Sequence, residues 1–130
     1  MGYNTEYRGE IKFKTKPTQE EIIKIDSFLE EDVRDHPEWE DYSQFGLTYI
    51  DLDLTSDGLG LVYNESEKSN DMAAKINLII REMRKEFPDF GFTGEMEGQG
   101  EEMDDRFTIK FIGPNGTAVE VKQSEERKEF

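Results

Sequence analysis

The chain has 130 residues, which is enough for one domain with a single hydrophobic core. Its 31 acidic residues outnumber 16 basic ones, and the net charge of −15 argues against direct binding to nucleic acid or to anionic membranes. Because the sequence contains no cysteine, disulfide bonds and thiolate chemistry are excluded.

The beginning of the chain predicts a strand followed by a helix. In "YRGEIKFK", over residues 7–14, apolar and charged side chains alternate as they do in a half-buried strand. Thr18 and Glu21 have the spacing of a capping box, and apolar residues then recur at helical intervals. Because Pro37 disfavours helical backbone at His36, the helix is expected to end within "RDHPEW".

The next segment predicts a β-hairpin over residues 46–64. Two alternating strands, "GLTYIDLDL" and "LGLVYN", flank the turn sequence "TSDG", in which Gly58 supplies a positive φ. One face of the first strand is apolar, and Tyr49, Asp51 and Asp53 occupy the other. The alternation therefore predicts that the two aspartates project from the same side of the sheet.

The second half of the chain predicts another helix and further strands. In "SNDMAAKINLIIREMRKEF", over residues 69–87, apolar side chains recur at helical spacing from Met72 to Phe87. Strands are expected over residues 90–97, 106–112 and 117–122, with the turn "GPNG" between the last two.

The order β-α-β-β-α-β, followed by one or two C-terminal strands, predicts an α+β fold of the ferredoxin-like type. In that arrangement two helices cover one face of an antiparallel sheet. Residues 1–122 are expected to form a single domain and residues 123–130 a loose tail. The first residues lack the form of a secretion signal and no apolar run reaches membrane-spanning length, so a cytoplasmic protein is expected.

The stretch "GEMEGQGEEMDDRF", over residues 94–107, concentrates carboxylates between two predicted strands. Their order differs from that of a calcium-binding loop, and no helices flank them. Two interpretations stay open: a solvated hairpin whose charges keep an exposed edge from pairing, or a partner-binding surface. The acidic candidates for that surface are Glu95, Glu97, Glu101, Glu102, Asp104 and Asp105.

A second acidic concentration runs from residue 26 to residue 41. Its candidates for the same partner-binding surface are Glu30, Glu31, Asp35 and Glu38. On a continuous helix, Glu31 and Asp35 would share one ridge, and such like-charged pairs each cost a few tenths of a kcal/mol. Trp39 is expected to fold over an edge of the core, and it would add an apolar interface anchor if its ring were exposed.

Asp51 and Asp53 are an alternative site of a different kind. Two aspartates two residues apart on one strand face can hold divalent cations, as in metal-dependent nucleotide or phosphoester enzymes. A third carboxylate and a phosphate-binding loop normally accompany such a pair, and the sequence shows no basic cluster or glycine-rich phosphate loop. No cofactor is therefore expected, and a metal site at Asp51 and Asp53 stays the alternative hypothesis.

The opening "MGYNTEYRGEIKFKTKPT" resembles the start of a group of small bacterial and phage proteins of uncharacterised function. The resemblance covers about the first 30 residues and brings no catalytic residues with it. It implies a phage or mobile-element context, in which small acidic proteins often inhibit host or defence machinery, some by imitating DNA.

Together these patterns predict a non-enzymatic acidic binding protein. Its expected partner is a basic protein, such as a nucleic-acid-binding protein whose basic groove accepts the carboxylates in place of phosphates. The alternatives are the metal-dependent enzyme using Asp51 and Asp53, or a housekeeping interaction domain whose acidity serves solubility.

Overall fold

A computed structural model of the chain describes residues 5–39, 49–65, 72–101, 105–114 and 116–122. Within these ranges the protein has two α-helices and eight strands, so the predicted α+β class is confirmed. The predicted strand start at residues 46–48, the helix start at 69–71 and the loose tail at 123–130 lie outside the described residues.

The eight strands form two antiparallel sheets of four strands each. One sheet has the order β1-β6-β7-β8 and the other has the order β3-β4-β2-β5. The strands are β1 (Glu6–Arg8), β2 (Glu10–Phe13), β3 (Leu52–Leu54), β4 (Gly60–Tyr63), β5 (Phe92–Gly94), β6 (Met96–Gln99), β7 (Arg106–Ile112) and β8 (Thr117–Lys122).

A bend at two glycines divides the strands between the sheets, where the sequence predicted one sheet. Gly9 separates β1 from β2 at a φ of +97°, and Gly94 ends β5 at a φ of +93°. Such positive φ angles suit glycine and interrupt extended backbone. The pairing nevertheless continues in register, since Ile11 lies opposite Gly94 in one sheet and Tyr7 lies opposite Gly98 in the other. The two sheets are therefore joined through one bent pair of strands.

Helix α1 (Gln19–Leu29) begins at the predicted capping box and ends earlier than expected. The Glu21 backbone N–H donates to the Thr18 hydroxyl at 3.2 Å, and the Thr18 N–H donates to the Glu21 carboxylate at 2.8 Å. After Leu29 the chain turns through two short 3₁₀ helices, Val33–Asp35 and Pro37–Trp39. The proline therefore marks a tight turn beyond the helix, and the α-helical backbone has already stopped.

Helix α2 (Met72–Arg84) follows the predicted apolar pattern. Met72, Ile76, Ile79 and Met83 are all buried. Neither α1 nor α2, the helices of the described ranges, combines the length and the apolar composition needed to cross a membrane.

Both sheets and both helices contribute to one hydrophobic core. Along the strands Ile11 and Met96 are buried in the same cluster as Ile25 of α1 and Ile79 of α2. Because side chains alternate along a strand, the residues between these core positions point the opposite way. We call that opposite side of the sheets the outer face; its exposed side chains include Glu6, Arg8, Glu10, Lys12, Glu95, Glu97, Arg106 and Lys110.

Helix α2 also protects the edge of the sheet at β8. The Asn77 side-chain amide donates to the Ala118 carbonyl at 3.0 Å, and the Ala118 N–H donates to the Asn77 carbonyl oxygen at 2.8 Å. This pair of bonds imitates a neighbouring strand at Ala118 and satisfies the backbone groups of that residue on the edge strand.

Replacing Gly60 by alanine should destabilise the fold strongly. An added Cβ would overlap the Ile11 carbonyl oxygen, a backbone atom held by the pairing of β2 with β4. We expect a loss of about 3 kcal/mol in the free energy of unfolding, the upper range for overpacking a core. Urea denaturation would measure this loss.

Gly91→Ala is the matched control, because Gly91 is also buried and its added Cβ would meet only side-chain atoms at 3.6 Å or more. Equal destabilisation of the two variants would contradict the close approach of β2 and β4.

Candidate functional site

The first acidic group lies where α1 ends. Glu30 is the C-cap residue of the helix, and the carboxylates of Asp35 and Glu38 are exposed on the two 3₁₀ helices that follow. Glu31 is partly exposed beside them. The last turn of α1 contains no basic residue, so the negative end of the helix dipole is followed by carboxylates. We call Glu30, Glu31, Asp35 and Glu38 the acidic end of α1.

His36 binds two members of this group. Its Nδ1 lies 2.8 Å from the Glu38 carboxylate and its Nε2 lies 3.2 Å from the Glu31 carboxylate. The bond to Glu38 is the largest cause of a raised pKa at His36, and the charges of both glutamates add to it, while partial burial opposes it. Since Glu31 follows the end of α1, it does not share a helical ridge with Asp35. The predicted cost of two like charges on one ridge therefore does not apply to this pair.

Trp39 lies in the core. Its side chain is only 2% exposed, its ring stacks on the His36 imidazole at 3.8 Å, and it packs edge-on against Phe28. Within the part of the chain that the structure describes, its indole Nε1 has no hydrogen-bond partner. A ring placed in this way anchors the turn after α1 to the core, which is the first of the two expectations for Trp39; it is not exposed as the alternative of an interface anchor requires.

Glu95 and Glu97 of the second acidic group are interleaved with basic side chains on the outer face. Glu95 lies 3.8 Å from the Lys110 ammonium, and Glu97 lies opposite Arg8 in the pairing of β1 with β6. Asp105 binds Lys122 at 2.8 Å. A pocket of about 120 Å³ opens here, lined by Glu6, Arg8, Glu97, Gly98, Gln99 and Arg106. Glu101 is exposed, while Glu102 and Asp104 lie outside the described residues.

The structure does not bring Glu95 and Glu97 together with the acidic end of α1. Met96, between these two glutamates, belongs to the same core as Ile25 of α1. The glutamates therefore point away from the helices, on the outer face. The two acidic groups therefore do not lie on one face, and both have basic neighbours: Arg8 and Lys110 beside Glu97 and Glu95, and the positive charge of Lys85 acting on Glu38.

Asp51 and Asp53 do not project side by side. Asp51 has a φ of +65° and precedes β3, which begins at Leu52, whereas Asp53 is exposed on that strand. The Asp51 carboxylate lies 2.9 Å from the ammonium of Lys75, whose side chain is 3% exposed. Within the described ranges, no three or more histidine, aspartate or glutamate side chains are close enough together to hold a metal ion.

The buried Lys75 was missed by sequence reasoning. It lies three residues after Met72 and directly before Ile76, so its position borders the apolar stripe of α2. Tyr63 lies near the same pair, and burial followed by the negative charge of Asp51 raises the pKa of its phenol. Asp51 and Lys75 thus form a buried ion pair in the core. The one sign of this pair in the sequence is a lysine that borders the apolar stripe of α2.

Comparison of the chain with protein-family models, with curated proteins and with solved structures found no match.

Asp51→Asn should destabilise the protein by about 3 kcal/mol, because it leaves a buried ammonium without this carboxylate. Asparagine tolerates the left-handed backbone at this position, so the change isolates the charge. Chemical denaturation would measure the loss. The control is Asp53→Asn, because the Asp53 side chain is exposed on β3; here we expect a change within about 0.5 kcal/mol. If both variants are near neutral, the buried pair does not stabilise the fold.

The His36 imidazole should titrate above its ordinary value of about 6.5. Because the folded state raises this pKa, the contribution to stability is complete below about pH 6.5 and is lost as the pH rises through the raised value. The chain has one histidine, so NMR titration of the imidazole protons reports this site alone. Glu38→Gln should lower the pKa, whereas Glu30→Gln should leave it nearly unchanged. An imidazole that titrates at or below its ordinary value would contradict the contacts with both glutamates.

Proposed function

We propose that the protein is a non-enzymatic binding protein that uses the acidic end of α1 to bind a basic partner. The observation that supports this most directly is the position of four carboxylates beyond the negative end of a helix whose last turn lacks lysine and arginine. Glu30 and Glu31, which directly follow the last turn, oppose the helix dipole at a cost of a few tenths of a kcal/mol, although His36 offsets part of the charge of Glu31 and Glu38. A partner's cations would compensate this cost, which solubility alone does not require.

The chemistry of the surface favours arginine and lysine as the groups it meets. Carboxylates accept paired N–H bonds from a guanidinium group in the same way that phosphates do. A nucleic-acid-binding protein presents such groups in a groove, and carboxylates placed there would exclude the nucleic acid. The resemblance of the N-terminal segment to small phage proteins supports inhibition of a host or defence protein in the cytoplasm as the setting of this activity.

The geometry gives less support to the metal-dependent enzyme. Asp51 is engaged by Lys75, and its left-handed backbone turns it out of the strand face that Asp53 occupies. A divalent cation at Asp51 would have to displace a buried ammonium that lies 2.9 Å away.

We also infer that the fold is a variant of the ferredoxin-like arrangement. Two observations support this: β1 with β2, and β5 with β6, act as two bent strands, and helices follow the first and third strands of the chain. Counted in this way, the first four strands lie in the order second, third, first, fourth, which is the order of a split βαβ sheet. Strands β7 and β8 then extend the fourth-strand edge.

A capture experiment tests the proposed function. The immobilised protein is incubated with a nuclease-treated bacterial lysate at several salt concentrations, and the retained proteins are identified by mass spectrometry. We expect a basic, nucleic-acid-binding protein whose affinity falls as salt rises. Removing four charges from the acidic end should weaken this affinity at least about tenfold; the variant carries Glu30→Gln, Glu31→Gln, Asp35→Asn and Glu38→Gln.

The control removes the same number of charges from the outer face and should retain the partner; it carries Glu6→Gln, Glu10→Gln, Glu95→Gln and Glu97→Gln. Equal weakening by both variants would mean that only net charge matters. Capture that is insensitive to salt, or that no variant changes, would overturn the electrostatic proposal. Binding heat on titration with Mg²⁺ or Mn²⁺ that Asp51→Asn abolishes would instead favour the enzyme.

A further inference from the structure

The lysines of this acidic protein divide into two groups. Of the eight lysines in the described ranges, five have a carboxylate within 4.0 Å: Lys24, Lys75, Lys85, Lys110 and Lys122. The other three, Lys12, Lys14 and Lys16, make no ion pair with any described residue, and all three are exposed. In a chain with about twice as many acids as bases, unpaired lysines at alternate positions of one short segment are unexpected.

These three lysines line an open groove of about 360 Å³ together with Phe13, Thr15, Pro17 and Leu59. Phe13 is partly buried against the core, and Leu59 is 40% exposed. The Phe13 N–H donates to the Leu59 carbonyl at 2.9 Å, and the Lys14 N–H donates to the Gly91 carbonyl at 2.9 Å. The backbone on both sides of the groove is thus fixed by hydrogen bonds before any ligand arrives.

The Asp57 carboxylate lies close enough to Lys12 for the lysine charge to act on it, but it already accepts hydrogen bonds within its own turn. It accepts a hydrogen bond from the Thr55 hydroxyl and another from the Leu59 N–H at 3.0 Å. The bond from Thr55 is the main cause of its lowered pKa, and the charge of Lys12 adds a smaller part. Asp57 therefore stabilises its own turn and does not close an ion pair with Lys12.

We propose that this lysine groove, formed by Lys12, Lys14 and Lys16 around Phe13, Pro17 and Leu59, binds an acidic segment of a partner protein that inserts one apolar side chain. Lys12 and Lys14 are two residues apart, which is roughly 7 Å along extended backbone. Alternate carboxylates of an extended peptide have the same spacing and can meet successive ammonium groups. The volume of the groove suits one large apolar side chain between them.

A long nucleic acid fits this site less well than a short peptide. The net charge of −15 repels a polyanion, and three lysines release few of its counterions. At physiological salt the screening length is about 8 Å, so a short segment bound in the groove senses mainly the nearby lysines. The proposal is independent of the acidic end of α1, because it concerns an oppositely charged surface on other residues.

Fluorescence anisotropy with a labelled hexapeptide, five acidic residues around one phenylalanine, tests this site at physiological salt. The wild-type protein should bind the peptide. Loss of the three groove lysines should weaken binding at least about tenfold; this variant carries Lys12→Gln, Lys14→Gln and Lys16→Gln. The control changes net charge equally at paired lysines and should stay within about threefold; it carries Lys85→Gln, Lys110→Gln and Lys122→Gln.

The apolar part of the site is tested by Leu59→Gln. This variant should weaken binding of the phenylalanine peptide by about fivefold, yet leave the alanine version of the peptide unchanged, because only the former fills the groove. Thermal unfolding followed by circular dichroism confirms that each variant is folded, and the single variant Lys14→Gln replaces the triple variant if the latter is not.

Three results would overturn the proposal. The first is no binding of the peptide by the wild-type protein, and the second is an equal loss in the groove and control variants. The third is tighter binding of a single-stranded oligonucleotide with the same number of charges, which would assign the groove to nucleic acid.

Discussion

The bend at Gly9 and Gly94 is the constraint on which the rest of the architecture depends. One continuous antiparallel pairing passes from β2 and β5 into β1 and β6, so a single pair of strands belongs to both sheets. Positive φ angles at the two glycines turn the pair without losing its register. Both sheets then contribute side chains to one core with α1 and α2, and the charged residues of the alternation are left on the outer face.

The charges near the two ends of α1 relate differently to the helix dipole. Lys12, Lys14 and Lys16 precede its positive end, and the acidic end of α1 follows its negative end. Glu20 and Glu21 in the first turn satisfy the dipole locally, so the lysines add charge that the helix does not use. An 11-residue helix is about 16 Å long. The lysines therefore precede the helix in the chain, whereas at its other end Glu30 and Glu31 adjoin the last turn and oppose the dipole directly.

Local patterns predicted the local parts of the structure. The capping box at Thr18 and Glu21 starts α1, and the apolar stripe from Met72 defines the buried side of α2, because both signals depend on residues within a few turns. The contact that was not predicted joins distant residues: Asp51 meets Lys75, 24 positions along the chain. No periodicity encodes such contacts, and the left-handed backbone at Asp51 removes it from a strand face that alternation alone assigned to it.

The positions of the charges distinguish a solubilising surface from a binding surface better than the overall composition does. A chain selected only for solubility needs exposed charge, and on the outer face exposed charges of both signs are interleaved, with Glu95 beside Lys110 and Glu97 opposite Arg8. At the acidic end of α1 the carboxylates outnumber the described basic groups that reach them, which are the His36 imidazole beside Glu31 and Glu38 and the Lys85 charge acting on Glu38. An excess of carboxylates at this place, on a molecule whose outer face alternates the two signs, is the feature that we propose a basic partner meets.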